Sequence, residues 1–409
     1  MRDGLLIVGG GYSAIQLAAS ARQFGYSEKI RIVSCEGELP YQRPPLSKGF
    51  LVGSVPEERL ALRSEAFYRE NDIELMLNTE AIALDVSSSI VGMSDGAQLR
   101  YDYLGFATGS RPRQLMVPGA ALKGVYYLNS IEDARSLASA IEDAHFIAVI
   151  GGGFIGLEVA SSAQKLGKEV EVFESQQRIL GRVVAPEVAA FVERLHAAKG
   201  VNIRKGKIVR KLIGSHGRVT HLECEDGFRT AADIVVVGIG AVPNVEIASA
   251  GGVTCTNGIV VDELTRSNIP NILAAGDCTN HFNIHADEWT RLESVQNALD
   301  QAKTAAATIA GLNKPYLATP WFWSDQFDCK LQIAGISSGY DSVVIRSRNS
   351  SRGEAFIALY FRAGMLIAVD TIDAPADHMA ARKLLAKPRS VGKNDLESFD
   401  FDIAAYAKK

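Results

Sequence analysis

Two glycine-rich turns carry the strongest chemical signal in the chain. Gly9, Gly11 and Ala14 form a G-x-G-x-x-A pattern, and Gly151, Gly153 and Gly156 form G-x-G-x-x-G. Ala18 and Gly25 behind the first turn match Ala160 and Gly167 behind the second, and all five matched positions lie 142 residues apart. In such a turn the first glycine permits a tight bend and the second lets backbone approach a pyrophosphate. The third small residue packs helix against strand. The helix that follows offers free N–H groups and the positive end of its dipole to the phosphates. Each copy continues into a second apolar strand that ends in an acid, Ile30–Cys35 then Glu36 and Val170–Phe173 then Glu174. A carboxylate there accepts hydrogen bonds from a ribose 2′-hydroxyl. One such turn is weak evidence, but two complete copies imply two dinucleotides.

The elements that must position these turns are short apolar strands, Leu5–Val8 and Phe146–Ile150, each followed by a helical stretch. This predicts an α/β chain with two Rossmann-like dinucleotide-binding domains. Two more strands end in suggestive residues. Tyr103–Gly109 closes on Ala107-Thr108-Gly109, and Ile272–Asp277 closes on Gly276-Asp277. An acid behind a glycine at a strand end can reach a polyol hydroxyl, although ordinary strand-ending turns share the pattern. From residue 319 to 409, apolar runs precede a helical stretch near Asp377–Leu385, which predicts a small C-terminal α+β domain. The 409-residue length suits two to four domains.

Charge and cysteine usage narrow the class. A net charge of −4 without a long basic block argues against a nucleic-acid binder. The five cysteines (Cys35, Cys224, Cys255, Cys278 and Cys329) are widely spaced, which points to a reducing compartment without a disulfide framework. Cys35 reads as a buried structural thiol on its strand, and Cys278 as structural. Leu5–Val8 is too short for a signal-peptide core, and no run of about 18 apolar residues suggests a membrane span. A cytoplasmic protein is expected. His281 and His285 have the i, i+4 spacing of a helical metal site, but no third ligand is evident and their surroundings suggest a loop. No metal site is assigned.

Taken in order, the motifs resemble the two-dinucleotide flavoprotein reductases of the glutathione-reductase superfamily. The order is the first glycine turn, Ala107-Thr108-Gly109, the second turn, Val236–Asn244 and Gly276-Asp277. The loop Pro40–Lys48, together with Gly156-x-Glu158, Arg291–Ala298 and Pro320–Gln326, is similar to the ferredoxin reductases. Those enzymes serve Rieske-type aromatic oxygenases and bacterial P450 monooxygenases; rubredoxin reductases and apoptosis-inducing factors are relatives. The loop has no cysteine, unlike that of thiol-based members of the superfamily.

The resemblance implies that Gly9, Gly11, Ala14, Glu36, Arg43, Lys48, Ala107, Thr108, Gly109, Gly276, Asp277, Glu293, Ser294, Val295 and Trp323 bind FAD. It gives NADH to Gly151, Gly153, Ile155, Gly156, Glu158, Glu174 and Gly240. Glu174 would repel a 2′-phosphate, and Ser175-Gln176-Gln177 offers no positive charge to hold one, so NADH is expected over NADPH. Lys48 and Glu158 are expected to pair beside flavin and nicotinamide, with no acid–base residue required. A helix opening behind Glu293-Ser294-Val295 would aim its positive end at the flavin. The expected function is electron transfer from NADH through FAD to a [2Fe–2S] ferredoxin, plant-type or Rieske-type. Rubredoxin reduction or an apoptosis-inducing-factor-like signalling role are the alternatives. A basic stretch holding Arg382, Lys383 and Lys387 could dock an acidic carrier. The expected domains are 1–113 with 245–318 for FAD, 114–244 for NADH and 319–409 for the C-terminal part, with oligomeric state open.

Overall fold

The computed structural model describes residues 3–350 and 353–408. The chain divides into two compact units. The first comprises Met1–Gln42, Leu60–Arg111 and Pro243–Phe322; the second comprises Arg43–Arg59, Pro112–Val242 and Trp323–Lys409.

The first unit is built on a five-stranded sheet in the order Ile272–Ala274, Tyr103–Phe106, Leu5–Val8, Ile30–Val33, Ile73–Met76. Every neighbouring pair is parallel. Side chains alternate across a strand, and both faces here are covered, so the central strand is apolar throughout. Leu5 and Ile7 join one core with Ala14, Leu17 and Ala18 of helix Tyr12–Gln23 and with Ala302, Ala305 and Ile309 of helix Val295–Ile309. Leu6 and Val8 join the core on the other face with Val33, Val91, Met93 and Phe106.

The second unit repeats this plan. Its five-stranded sheet runs Asn202–Lys205, Glu169–Glu174, Phe146–Ile150, Ile234–Val237, Val125–Tyr126, again with parallel neighbours. In both sheets the strand before the glycine turn is central. The strand beside it ends in its acid, Glu174, in the second sheet and three residues short of Glu36 in the first. The unit also contains most of a second five-stranded sheet, ordered Trp321–Gln326, Cys329–Gly335, Met365–Ile372, Gly353–Arg362, Ser342–Ser350. Its last four strands pair antiparallel. Helix Pro375–Leu385 seals one face, where Ala381 and Leu385 pack with Leu359, Phe361 and Val369. The mixed α/β class and the small C-terminal α+β region are those expected from the sequence.

A buried polar contact joins this sheet to the Rossmann-like part of its own unit. The Tyr360 hydroxyl accepts from the Ala185 N–H at 2.8 Å and donates to the Asp370 carboxylate. Burial pushes the Asp370 carboxyl up to about 7, opposed by the Tyr360 hydrogen bond. Below about pH 4 the folded and unfolded chains both hold this proton. Between about pH 4 and 7 only the unfolded chain releases it, so Asp370 costs more stability as pH rises, levelling above 7. The Tm of the protein minus that of Asp370→Asn is therefore expected to fall from pH 5 to pH 7.5. A pH-independent difference in thermal unfolding would reject this.

Candidate functional site

The first glycine turn divides its tasks among three positions. Gly9 has φ +124°, and a Cβ there would lie 2.0 Å from the Ala107 carbonyl oxygen. Only glycine satisfies both the backbone and the close approach. Gly11 caps the helix, and a Cβ there would meet nothing within 4 Å. Ala14 is buried in the core behind it. The opening at Gly11 in front of a helix N-terminus fits a pyrophosphate. Glu36 follows close by, accepting from the Tyr41 hydroxyl.

Cys35 departs from expectation. The strand ends at Val33, and Cys35 is exposed rather than a buried strand thiol. Ser34 is the last buried residue, its N–H bonded to the Met76 carbonyl, and the chain turns outward beyond it. Cys278, by contrast, is fully buried in the core.

Two further motifs of this unit fall at strand ends of the same sheet. Thr108 and Gly109 follow Tyr103–Phe106, with the Thr108 hydroxyl donating to the Asn244 carbonyl at 2.7 Å. Gly276 has φ +88°, and a Cβ there would come within 2.3 Å of the Ser13 hydroxyl on the glycine-turn helix. That contact brings half-buried Asp277 near the first turn. Helix Val295–Ile309 opens at Ser294, whose hydroxyl accepts from the Asn297 N–H at 3.1 Å, while Glu293 pairs with Arg291. His281 and His285 occupy neither a helix nor a surface. His281 lies within strand Thr279–Asn283, His285 follows it, and both are buried. Burial pushes His281 down to about 4. No group of three potential metal ligands occurs among the described residues.

The second turn follows the same division. A Cβ on Gly151 (φ +109°) would lie 2.3 Å from the Gly238 carbonyl oxygen, whereas Gly153 faces open space apart from that same oxygen at 4.0 Å. A Cβ on Gly156 would lie 2.1 Å from the Gly151 carbonyl oxygen, so this turn cannot take the alanine found at position 14. Glu174 bends back to the turn, accepting from the Gly152 N–H at 2.8 Å and from the Gln176 N–H at 2.7 Å. Ile155, on the first turn of the helix, is 51% exposed despite its apolar side chain. Gly240 has φ +102° just beyond strand Ile234–Val237. Arg178, the base that follows Glu174 most closely in sequence, donates to the Gly181 carbonyl within its own loop.

Lys48 and Glu158 meet in the second unit. Lys48 Nζ lies 2.6 Å from Glu158 Oε2; Glu158 is only 3% exposed and Lys48 19%. The same oxygen accepts from the Ser47 hydroxyl at 2.6 Å, and Oε1 accepts from the Ser324 hydroxyl at 2.5 Å. A buried carboxylate satisfied by one cation and two hydroxyls is a donor set that supports burial of charge. Glu158 belongs to a polar face of helix Phe154–Lys165. From that face Ser161 accepts from the Phe327 N–H, Ser162 donates to the Ser47 carbonyl, and Lys165 donates to the Phe327 carbonyl. The i, i+3, i+4, i+7 spacing puts all four on one stripe, which ties the Pro44–Ser47 turn and strand Trp321–Gln326 to one helix. Arg43 donates to the Asn129 carbonyl at 2.5 Å, and Trp323 is half-buried on its strand.

Sequence reasoning missed Ser47, Ser324, Gln326 and His196. Ser324 and Gln326 lay within the quoted Pro320–Gln326 motif, where period-2 alternation puts them on one face. The basic stretch is not one helical face. Arg382 and Lys383 lie on helix Pro375–Leu385, Lys387 follows it, and Lys383 Nζ donates to the Ala407 carbonyl.

The comparisons with known proteins agree with this architecture. A family model described as pyridine nucleotide-disulphide oxidoreductase matches residues 3–302, and one described as reductase C-terminal matches 321–407. Rhodocoxin reductase of Rhodococcus erythropolis is 39% identical over 399 residues, 98% of this chain and 93% of that protein. The ferredoxin reductase for the CYP199A2 system from Rhodopseudomonas palustris superposes with a TM-score of 0.95 at 39% identity, covering 99% of this chain and 100% of that one. The covalent putidaredoxin reductase–putidaredoxin complex gives a TM-score of 0.93 at 38% identity, covering 99% of each chain. No helix among the described residues is long and apolar enough to cross a membrane. Matched over most of its length by one family model, the chain belongs to the pyridine nucleotide-disulphide oxidoreductase family, whose members use FAD and NAD(H).

Proposed function

We propose that the protein is an NADH-dependent reductase that passes electrons through FAD to a [2Fe–2S] ferredoxin serving a monooxygenase or ring-hydroxylating dioxygenase. The observation that carries this is the pair of glycine turns, each with an open second glycine at the head of its own parallel sheet. The choice of acceptor draws on the reductases to which the chain is similar. A bound FAD would supply chemistry that the side chains lack, hydride acceptance from NADH and release of electrons one at a time. The protein supplies position and field. Gly9, Gly11, Ala14, Glu36, Arg43, Ala107, Thr108, Gly109, Gly276, Asp277, Glu293, Ser294, Val295 and Trp323 hold the flavin nucleotide. Gly151, Gly153, Ile155, Gly156, Glu174 and Gly240 hold NADH, and Lys48, fixed by Glu158, places positive charge at the flavin edge.

Glu174 selects the cofactor by charge. Its carboxylate accepts from a 2′-hydroxyl and repels a 2′-phosphate. Glu174→Ala is expected to raise the KM for NADH about tenfold, as for a lost charge-assisted hydrogen bond. It should also narrow the NADH/NADPH preference, and an unchanged kcat/KM ratio between the two would remove this role.

The function itself is tested by stopped-flow reduction with NADH, followed by transfer to plant-type ferredoxin, Rieske ferredoxin and rubredoxin. Rapid transfer to a ferredoxin is expected; failure with every carrier overturns the proposal. Docking is assigned to the basic stretch that carries Arg382, Lys383 and Lys387. Neutralising these three should raise the KM for ferredoxin and flatten its salt dependence while sparing NADH–ferricyanide activity. Equal loss of both activities would place their effect elsewhere.

A further inference from the structure

The hydrogen bonds behind Glu158 continue into the protein along a path with a fixed polarity. Gln326 Nε2 donates to the Ser324 hydroxyl at 2.9 Å, and Gln326 Oε1 lies 2.8 Å from His196 Nε2. Ser324, Gln326 and His196 are all buried. The Gln326 carbonyl oxygen has no hydrogen to give, so the imidazole donates through Nε2. Ser324 receives from Gln326 and is left with its own proton for Glu158 Oε1. The opposite amide orientation would turn Oε1 of Gln326 toward Ser324 and draw that proton away from Glu158.

We propose that His196 and Gln326 are positioning residues: through the Ser324 hydroxyl they orient the Glu158 carboxylate that holds Lys48. Two further observations support a neutral His196 protonated on Nε2. Its Nδ1 is buried without a hydrogen-bond partner, as suits a bare lone pair, and the ring packs edge-on against Phe327 at 4.9 Å. Burial also depresses the imidazole below its ordinary range. The imidazole thus selects the amide orientation, the amide selects the hydroxyl orientation, and the hydroxyl fixes one carboxylate oxygen. Ser47 and Lys48 occupy the other. The effect on turnover rests on the assignment of Lys48 to the flavin edge, whereas the polarity of the path does not.

Two measurements on the flavin-loaded protein test the proposal. In ¹⁵N NMR of histidine-labelled protein, with His196 assigned by loss of its signals in His196→Gln, the ring should be neutral and protonated on Nε2 at pH 7. A cationic ring, or one protonated on Nδ1, overturns the proposal. In Gln326→Glu the new carboxylate accepts from both neighbours and takes the Ser324 proton from Glu158. The limiting rate of flavin reduction by NADH should fall about tenfold, within the range of coupling between neighbouring groups, with the Kd for NADH unchanged. The same substitution in a Lys48→Met background should cost nothing further. A full rate in Gln326→Glu, or an equal loss in both backgrounds, overturns the positioning role. If Lys48→Met alone reduces its flavin at the original rate, the assignment of Lys48 to the flavin falls. The path then stands or falls on the NMR.

Discussion

Gly9→Ala is expected to yield a protein that loses its flavin and unfolds at a much lower temperature. The substitution meets two obstacles at once. The backbone sits at φ +124°, and the new methyl would lie 2.0 Å from the Ala107 carbonyl oxygen. Strain of the first kind costs about 1–3 kcal/mol, and forced overpacking costs a further 1–3 kcal/mol or so. Relief requires parting strands Leu5–Val8 and Tyr103–Phe106, which are hydrogen-bonded neighbours in the sheet. Gly11→Ala provides the contrast. Its φ of −97° is open to any residue, and nothing lies within 4 Å of the new methyl. It should keep its Tm in the flavin-free state and weaken flavin binding, because the methyl stands where the pyrophosphate would approach. The ratio of flavin to protein absorbance, with thermal unfolding of both variants, measures the difference. A fully flavinated Gly9→Ala of normal Tm would show that the turn is not the rigid element described.

Glu158→Leu should be nearly as damaging, for electrostatic reasons. It leaves the Lys48 ammonium without its carboxylate and two buried hydroxyls, Ser47 and Ser324, without their acceptor. Breaking a buried ion pair by removing one member costs about 3–5 kcal/mol. The lower end applies here, because Lys48 keeps 19% of its side-chain surface in water. Replacing both members with apolar residues removes the uncompensated charge, so Lys48→Met/Glu158→Leu should be more stable than the sum of the single variants predicts. Reversible chemical denaturation of all four proteins provides the measurement. Strict additivity would mean that the pair contributes no coupling.

The legible parts of the chain were those in which a local pattern carries its own geometry. The glycine turns could be read because Gly9 and Gly151 each require a left-handed backbone and a close carbonyl approach, demands met only by glycine. The apolar strands could be read because Leu5–Val8 and Phe146–Ile150 have almost no polar interruption. What failed depended on where a strand stops or on which distant residue supplies a partner. Cys35 follows Ser34, and nothing local states that the strand ends two residues before the cysteine. The loop expected around His281 and His285 holds at His285, in a turn, whereas His281 lies in a strand set by pairing with Gly258–Val261. His196 carried a faint signal. Val188, Val192 and His196 follow one another at i+4 on helix Pro186–Ala198, so the histidine lies on the buried stripe. Its partner Gln326 is 130 residues away, a distance no periodicity reports.

The order of strands in the two Rossmann-like sheets also has a consequence for the chain as it is made. The strands Phe146–Ile150, Glu169–Glu174, Asn202–Lys205 and Ile234–Val237 emerge in one continuous stretch. The N-terminal sheet has no such continuity: Tyr103–Phe106 must wait for Ile272–Ala274, and the core under Leu5 waits for Ala302–Ile309. At roughly 5–20 residues per second, the gap between those two strands lasts on the order of 10–30 s. During that time the later sheet can close while the earlier one keeps an unpaired edge and an uncovered apolar face. The segment synthesised first is therefore expected to be among the last to become protease-resistant, and ribosome-bound chains arrested before residue 272 should be cleaved within residues 5–106 while 146–237 survives.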